Sequence, residues 1–136
     1  MSTRTFAMIF GIVFLAVGIA GFVPQLVQPP EGGAMATDME HRMLLGMFPV
    51  NTLHNVVHLL FGLWGLAASR SLGGSVTYAR GVAIIYALLA IMGFIPSLNT
   101  MFGLVPLHGN NIWLHLALAL VAAYFGWVHR NTGANA

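Results

Sequence analysis

Apolar and polar positions fall into long blocks along this chain. Four apolar runs stand out: Thr5 to about Val23, Val50 to about Ala68, about Tyr78 to Ile95, and about Asn111 to Val128. A helix that crosses a bilayer needs roughly 20 apolar residues, and each run is that long or nearly so. The first stops at Pro24 and the third at Pro96, and proline cannot continue a helix. Polar positions inside the second run keep helical spacing. At about 3.6 residues per turn, Asn51, His54, Asn55 and His58 share one face, and Gly62 and Gly65 continue it. In the fourth run Asn111, His115, Ala119, Ala122 and Gly126 trace the same stripe, joined by His108 if the helix starts that early. Polar groups are costly in a membrane and face the bundle interior. Small residues let helix backbones approach closely. Both arguments turn the two stripes inward.

The runs are related in pairs. Pro49-Val50-Asn51-Thr52-Leu53-His54-Asn55-Val56-Val57-His58 is echoed from Pro106, with Pro49 on Pro106, Asn51 on His108, His54 on Asn111 and His58 on His115. Gly21-Phe22-Val23-Pro24 likewise matches Gly93-Phe94-Ile95-Pro96. The expected fold is all-α: a four-transmembrane-helix bundle built from two tandem two-helix repeats, about 4–69 and about 78–129, in a single integral membrane domain over 1–136. The first outer loop, Gln25 to Phe48, is the longer one. Arg4 before the first run, and Ala34-Met35-Ala36 after it, have the marks of a secretory signal. That cleavage site lies too far past the run, and the run has its partner in the third, so it is read as a span.

Composition agrees. The 136 residues are 58% hydrophobic and 6% charged, with mean hydropathy +0.84, whereas a soluble domain is about 25% charged. The basic pI rests on five arginines and no lysine. They flank the apolar runs without clustering, which argues against a nucleic-acid partner. Arg4, Arg70, Arg80 and Arg130 fall at the termini and the middle loop; Arg42 alone sits in another loop, beside Glu31, Asp38 and Glu40. The positive-inside rule then places both termini in the cytoplasm. The histidines fall near the outer face.

The candidate chemistry is in those histidines. His58 lies about 13 Å past Pro49 at ~1.5 Å per residue, well inside an apolar layer of about 30 Å. Neutral imidazole is both a hydrogen-bond partner and a metal ligand. One reading makes the stripe a polar network of Asn51, Asn55, Asn111 and the histidines, with Asn51 an N-cap and Gly62, Gly65 and Gly126 as packing positions. The other makes it a ligand site. His54 and His58 have a spacing suited to a metal, a set extended by His108 and His115. His58 and His115, at matching positions, suit a bis-histidine haem b. No run carries an acidic residue, which excludes a carboxylate-bridged di-iron site. The absence of cysteine excludes thiolate sites. Met35, Met39, Met43 and Met47 recur every four residues around His41. A helix there would carry one methionine stripe, either laid on the interface or binding Cu(I). Pro29-Pro30-Glu31-Gly32-Gly33 before it reads as a turn or connector.

Gly46-Met47-Phe48-Pro49-Val50-Asn51, then His54-Asn55-Val56-Val57-His58, and later Pro106-Leu107-His108-Gly109 with Trp113-Leu114-His115, resemble a bacterial family of small four-helix membrane proteins, domain of unknown function 4383. The likeness covers nearly the whole chain. It implies a four-span inner-membrane protein and brings no activity or catalytic residue. No nucleophile–base pair or phosphate loop is visible, so an enzyme is not expected. The leading expectation is a structural or accessory protein of the bacterial cytoplasmic membrane, partnered by lipid and by a larger membrane complex or its own copies. The alternatives are a haem b or metal protein using the histidines, and a binder or carrier of a small lipophilic molecule.

Overall fold

A computed structural model describes residues 1–28, 42–99, 101 and 106–131. Helix α1 (Thr3–Ala20) starts where the Ser2 side chain accepts from the Thr5 N–H. Helix α2 (Thr52–Ala68) is capped in the same way by Asn51, and α3 (Leu72–Phe94) by Ser71. A side-chain oxygen at this position satisfies one of the donors that open a helix. Helix α4 (Asn110–Ala123) has no side-chain cap; it follows Gly109, whose φ of 68° is in the region glycine tolerates. It continues as a π-turn over Tyr124–Val128. Thr3–Ala20, Leu72–Phe94 and Asn110–Val128 are each long and apolar enough to cross a membrane, while Thr52–Ala68 is apolar but shorter.

Two differences from the sequence reading concern boundaries. α3 begins at Leu72, ahead of the apolar run, because Ser71 supplies a start signal that hydropathy does not register. α2 begins at Thr52, because Pro49 and Val50 belong to a strand. That strand, β3 (Phe48–Val50), pairs antiparallel with β2 (Arg42–Leu44), which pairs antiparallel with β1 (Val27–Gln28). The loop joining β2 to β3 turns at Leu45 and Gly46, both with positive φ. A helix through Met43 and Met47 is therefore corrected. Met43 is buried in the sheet and Met47 is exposed in the turn, so the two do not share a stripe. Met35, Met39, His41 and Pro29–Gly33 lie outside the described residues.

The helices pair as hairpins, α1 chiefly along α2 and α3 along α4. Glycine sets the first contact. A methyl group on Gly65 would stand 2.9 Å from both the Ala7 carbonyl oxygen and the Gly11 Cα, and one on Gly62 2.8 Å from the Gly11 carbonyl oxygen. Further along, Gly21 meets the side chain of Asn55, and Gly93 meets Ile112. At the opposite end an arginine closes each hairpin. Arg4 Nε donates to the Ser69 carbonyl at 2.9 Å, and Arg80 Nε to the Gly126 carbonyl at 2.8 Å. Carbonyls at helix C-termini lack intrahelical partners, and basic side chains satisfy them. Between the hairpins the core is aromatic. Phe6 stacks on Phe125 at 4.7 Å, and Tyr78 donates its hydroxyl to the Phe61 carbonyl at 3.1 Å.

The glycine contacts generate the first prediction. Gly62→Leu or Gly65→Leu pushes side-chain atoms into backbone of α1, and overpacking of this kind costs about 1–3 kcal/mol or more. Ala67→Leu, on the exposed face of α2, is nearly neutral. Thermal unfolding of the three variants in detergent checks the order; equal tolerance at all three positions contradicts the packing.

Candidate functional site

The buried residues of α2 are His54, Asn55, His58, Gly62, Gly65 and Ala68; those of α4 are Asn111, His115, Ala119 and Ala122. Each set is one face at helical spacing. The polar members do different work. Asn51 Oδ1 accepts from the His54 N–H at 2.8 Å and fixes the start of α2. Asn111 is fully buried, and its Nδ2 donates to the Pro49 carbonyl at 2.7 Å and the Pro106 carbonyl at 3.1 Å. One carboxamide thus ties β3 to the segment leading into α4. Next to it the exposed Asn110 donates to the Met47 carbonyl.

The histidines gather below these contacts. His58 Nδ1 lies 3.0 Å from the His54 carbonyl oxygen. A carbonyl only accepts, so Nδ1 carries the proton and Nε2 is the acceptor of the neutral ring. The His54 ring is 4.3 Å from that of His58 and 6.1 Å from that of His115, nearly parallel to the latter. Tyr86 of α3 meets His115 edge-on at 5.1 Å. Phe14 of α1 packs on His58 at 5.6 Å and on Tyr86 at 5.5 Å. Each helix therefore contributes a ring to one cluster. Sequence reading missed Phe14 and Tyr86. The available signal was Tyr78 and Tyr86, eight positions apart in an apolar run; a buried tyrosine brings a hydroxyl that needs a partner.

A cavity of about 130 Å³ adjoins the cluster, lined by His54, His58 and His115 together with apolar and aromatic side chains that include Phe61, Tyr86 and Leu107. A smaller one of about 50 Å³ touches the far side of His58. Asn51 and Asn55 instead line a more open pocket of about 280 Å³ beside Gly21 and Val50. His54 Nδ1, His115 Nδ1, Asn55 Oδ1 and Asn111 Oδ1 are buried without a hydrogen-bond partner among the described residues. Such atoms cost about 1–3 kcal/mol each, so they mark places where a ligand or water gains by binding.

His108 stands apart. It precedes Gly109, outside α4, is half-buried and does not line the cavity. Burial pushes its imidazole below the ordinary value. Gly126, in the π-turn, packs against the backbone of Arg80. Among the described residues no group of three or more His, Cys, Asp or Glu is placed to hold a metal ion. The cavity is also too small for a haem. An apolar cavity of about 150 Å³ holds a benzene ring, and drug-sized ligands occupy about 300–1,000 Å³.

Asn111→Leu keeps the volume and strands two buried carbonyls. Its expected cost is about 2 kcal/mol or more, against about 0.5 kcal/mol for Asn110→Ala. Chemical denaturation of the two variants in detergent measures the difference.

Comparison with known proteins gives one finding. The family model described as "Domain of unknown function (DUF4383)" matches residues 4–128. No curated protein and no solved structure matched the chain.

Proposed function

We propose that this chain, which belongs to the DUF4383 family, is a four-span protein of the bacterial cytoplasmic membrane that binds a small lipophilic molecule between its helices. In this reading α2 is the fourth span. Its 17 residues rise about 26 Å at ~1.5 Å per residue, and the Asn51 cap and β3 complete the crossing. Exposed Trp113 stands near one end of the bundle, and exposed Trp127 and Tyr124 near the other, where aromatic side chains favour membrane interfaces.

Two tandem two-helix units, with both termini cytoplasmic, belong to the same proposal. The contacts that support it recur in pairs. Gly21 meets Asn55 as Gly93 meets Ile112, and an arginine on the first helix of each unit reaches a carbonyl near the end of the second, although Arg80 lies one turn further along than the position matching Arg4. Asn55 stands to Ile112, and Ser69 to Gly126, as Pro49 stands to Pro106. Arg4, Arg70, Arg80 and Arg130 all fall in the half of the bundle opposite His54, His58 and His115, which supports a cytoplasmic positive end.

One observation carries the binding function: a mostly apolar cavity lies between the helices, lined by His54 and His115, each of which keeps a buried nitrogen that no described residue meets. A purely structural role for the polar stripe, with a larger complex as partner, accounts for Asn51 and Asn111 and for the glycines. It leaves those two nitrogens without a purpose.

The topology is tested with reporters. One fused after Arg130 is expected in the cytoplasm and one inserted at Gly32 outside; the reverse labelling overturns the orientation. Binding is tested with fluorobenzene, a ring of the size the cavity admits, followed by ¹⁹F NMR on the purified protein in micelles. A bound signal is expected for the wild type and not for Leu89→Trp, which fills the cavity from α3. No bound signal in the wild type overturns the binding function.

A further inference from the structure

Arg80 stands where a charge is costly. It is exposed on α3, two residues past the start of the apolar run at about Tyr78. Charged groups at the edge of the apolar layer pair with something or reach for the interface. One of its five N–H donors is taken, since Nε donates to the Gly126 carbonyl at 2.8 Å. Glycine permits the contact: a methyl group on Gly126 would stand 2.9 Å from the Arg80 Cγ. The guanidinium carbon lies 5.6 Å from the centre of the Trp127 ring, and Trp127 is itself exposed. Carbonyl and ring together hold the guanidinium on the seam between α3 and α4. Its Nη groups meet no acceptor among the described residues. The carboxylate side chains of the sequence, Glu31, Asp38 and Glu40, all belong to the loop that joins α1 to α2, at the other end of the bundle.

The face around Arg80 has the pattern of an amphiphile. Thr77 is exposed one turn earlier on the same face and brings a hydroxyl. In the other direction Ile84, Leu88 and Ile91 continue that face at helical spacing, and all three are exposed. A planar guanidinium with free Nη groups matches the oxygens of a phosphate. At the edge of the apolar layer the bilayer itself supplies phosphate, with an acyl chain attached. Arg4, Arg70 and Arg130 are exposed in the same half of the bundle, and such a concentration of arginine favours headgroups of net negative charge.

We propose that Thr77, Arg80 and Trp127 form a site for an anionic phospholipid on the seam between α3 and α4. The Arg80 Nη groups and the Thr77 hydroxyl donate to the phosphate, and an acyl chain lies along Ile84, Leu88 and Ile91. Trp127 is the positioning residue, since it fixes the plane of the guanidinium. Arg4 makes the same kind of carbonyl contact, at Ser69, but no aromatic ring among the described residues covers it. The site shares no residue with the cavity beside the histidines, so either can fail without the other.

Native mass spectrometry of the full chain in detergent micelles tests this, with dioleoyl phosphatidylglycerol and dioleoyl phosphatidylcholine, which have the same chains, as probes. Phosphatidylglycerol is expected to bind about tenfold more tightly, the equivalent of one charge-assisted hydrogen bond. Arg80→Gln is expected to abolish that preference. Trp127→Leu keeps Arg80 and its carbonyl contact and is expected to weaken phosphatidylglycerol about threefold; circular dichroism shows that each variant is folded. Arg70→Gln removes an equally exposed charge and is expected to change the affinity less than twofold. Equal binding of the two lipids by the wild type overturns the anionic preference. Equal losses in Arg70→Gln and Arg80→Gln mean diffuse charge attraction and overturn the site, and an unchanged affinity in Trp127→Leu overturns the role of the ring. Glycerol 1-phosphate at the same concentration is expected not to compete; displacement of the lipid by it means a site for soluble phosphate and overturns the part given to the acyl chain.

Discussion

Everything near the histidines depends on how one edge strand is satisfied. β3 is the last strand of the small sheet, and Pro49 within it has no N–H to give a ladder. The Pro49 carbonyl is buried at the point where the chain turns into α2. Asn111 meets it, and with its second amide hydrogen meets Pro106 as well. Removing that carboxamide would leave two buried acceptors unpaired in an apolar setting, the costly outcome. Because Asn111 sits in the first turn of α4 and Asn51 caps α2, the same contacts fix the axial register of the two helices. His54 and His115 are brought within 6.1 Å by that register.

Glycine does the complementary work along α1 and α2. Gly11, Gly62 and Gly65 bring those backbones to a distance that no side chain survives. Packing and carbonyl capping then hold the far end, through Phe6 on Phe125 and through Arg4 and Arg80. The bundle is tight where residues are small and loose where they are large and polar. Cavities beside His58 follow from this contrast, since ring-shaped side chains arriving from four helices do not tile as glycine and alanine do.

Much of this arrangement was legible because helical period and residue type agreed. Asn51, His54, Asn55, His58, Gly62 and Gly65 occupy one face whatever surrounds them, and each is buried. Asn51 announced the start of α2 by its residue type. The sheet was not legible, because strands of two or three residues are too short to show a period of two, and methionines four apart imitated a helix. His108 misled in a similar way. It extends the stripe only if α4 begins before Gly109, and the positive φ there prevents that. Phe14 was hidden because a phenylalanine in an apolar run carries no mark of the face it occupies, whereas Tyr86 was marked only by its hydroxyl and its spacing from Tyr78. The arginine-to-carbonyl contacts were hidden because they join positions far apart in sequence.

The pairing of positions between the two halves bears on the division of labour. His58 and His115 match, but His54 faces Asn111 and Asn51 faces His108. At the first of these mismatches the asparagine ties proline carbonyls, and the histidine enters the cavity wall. Asparagine suits the tie, since its amide offers two hydrogens in fixed geometry, whereas a neutral imidazole offers one. Imidazole suits the wall, since its ring adds apolar area there. At the second mismatch Asn51 caps α2, while His108 stops short of α4 and Gly109 opens that helix instead. At this end of the bundle the Asn111 tie and the cavity lined by His54 lie side by side, so one end is both fixed and hollow.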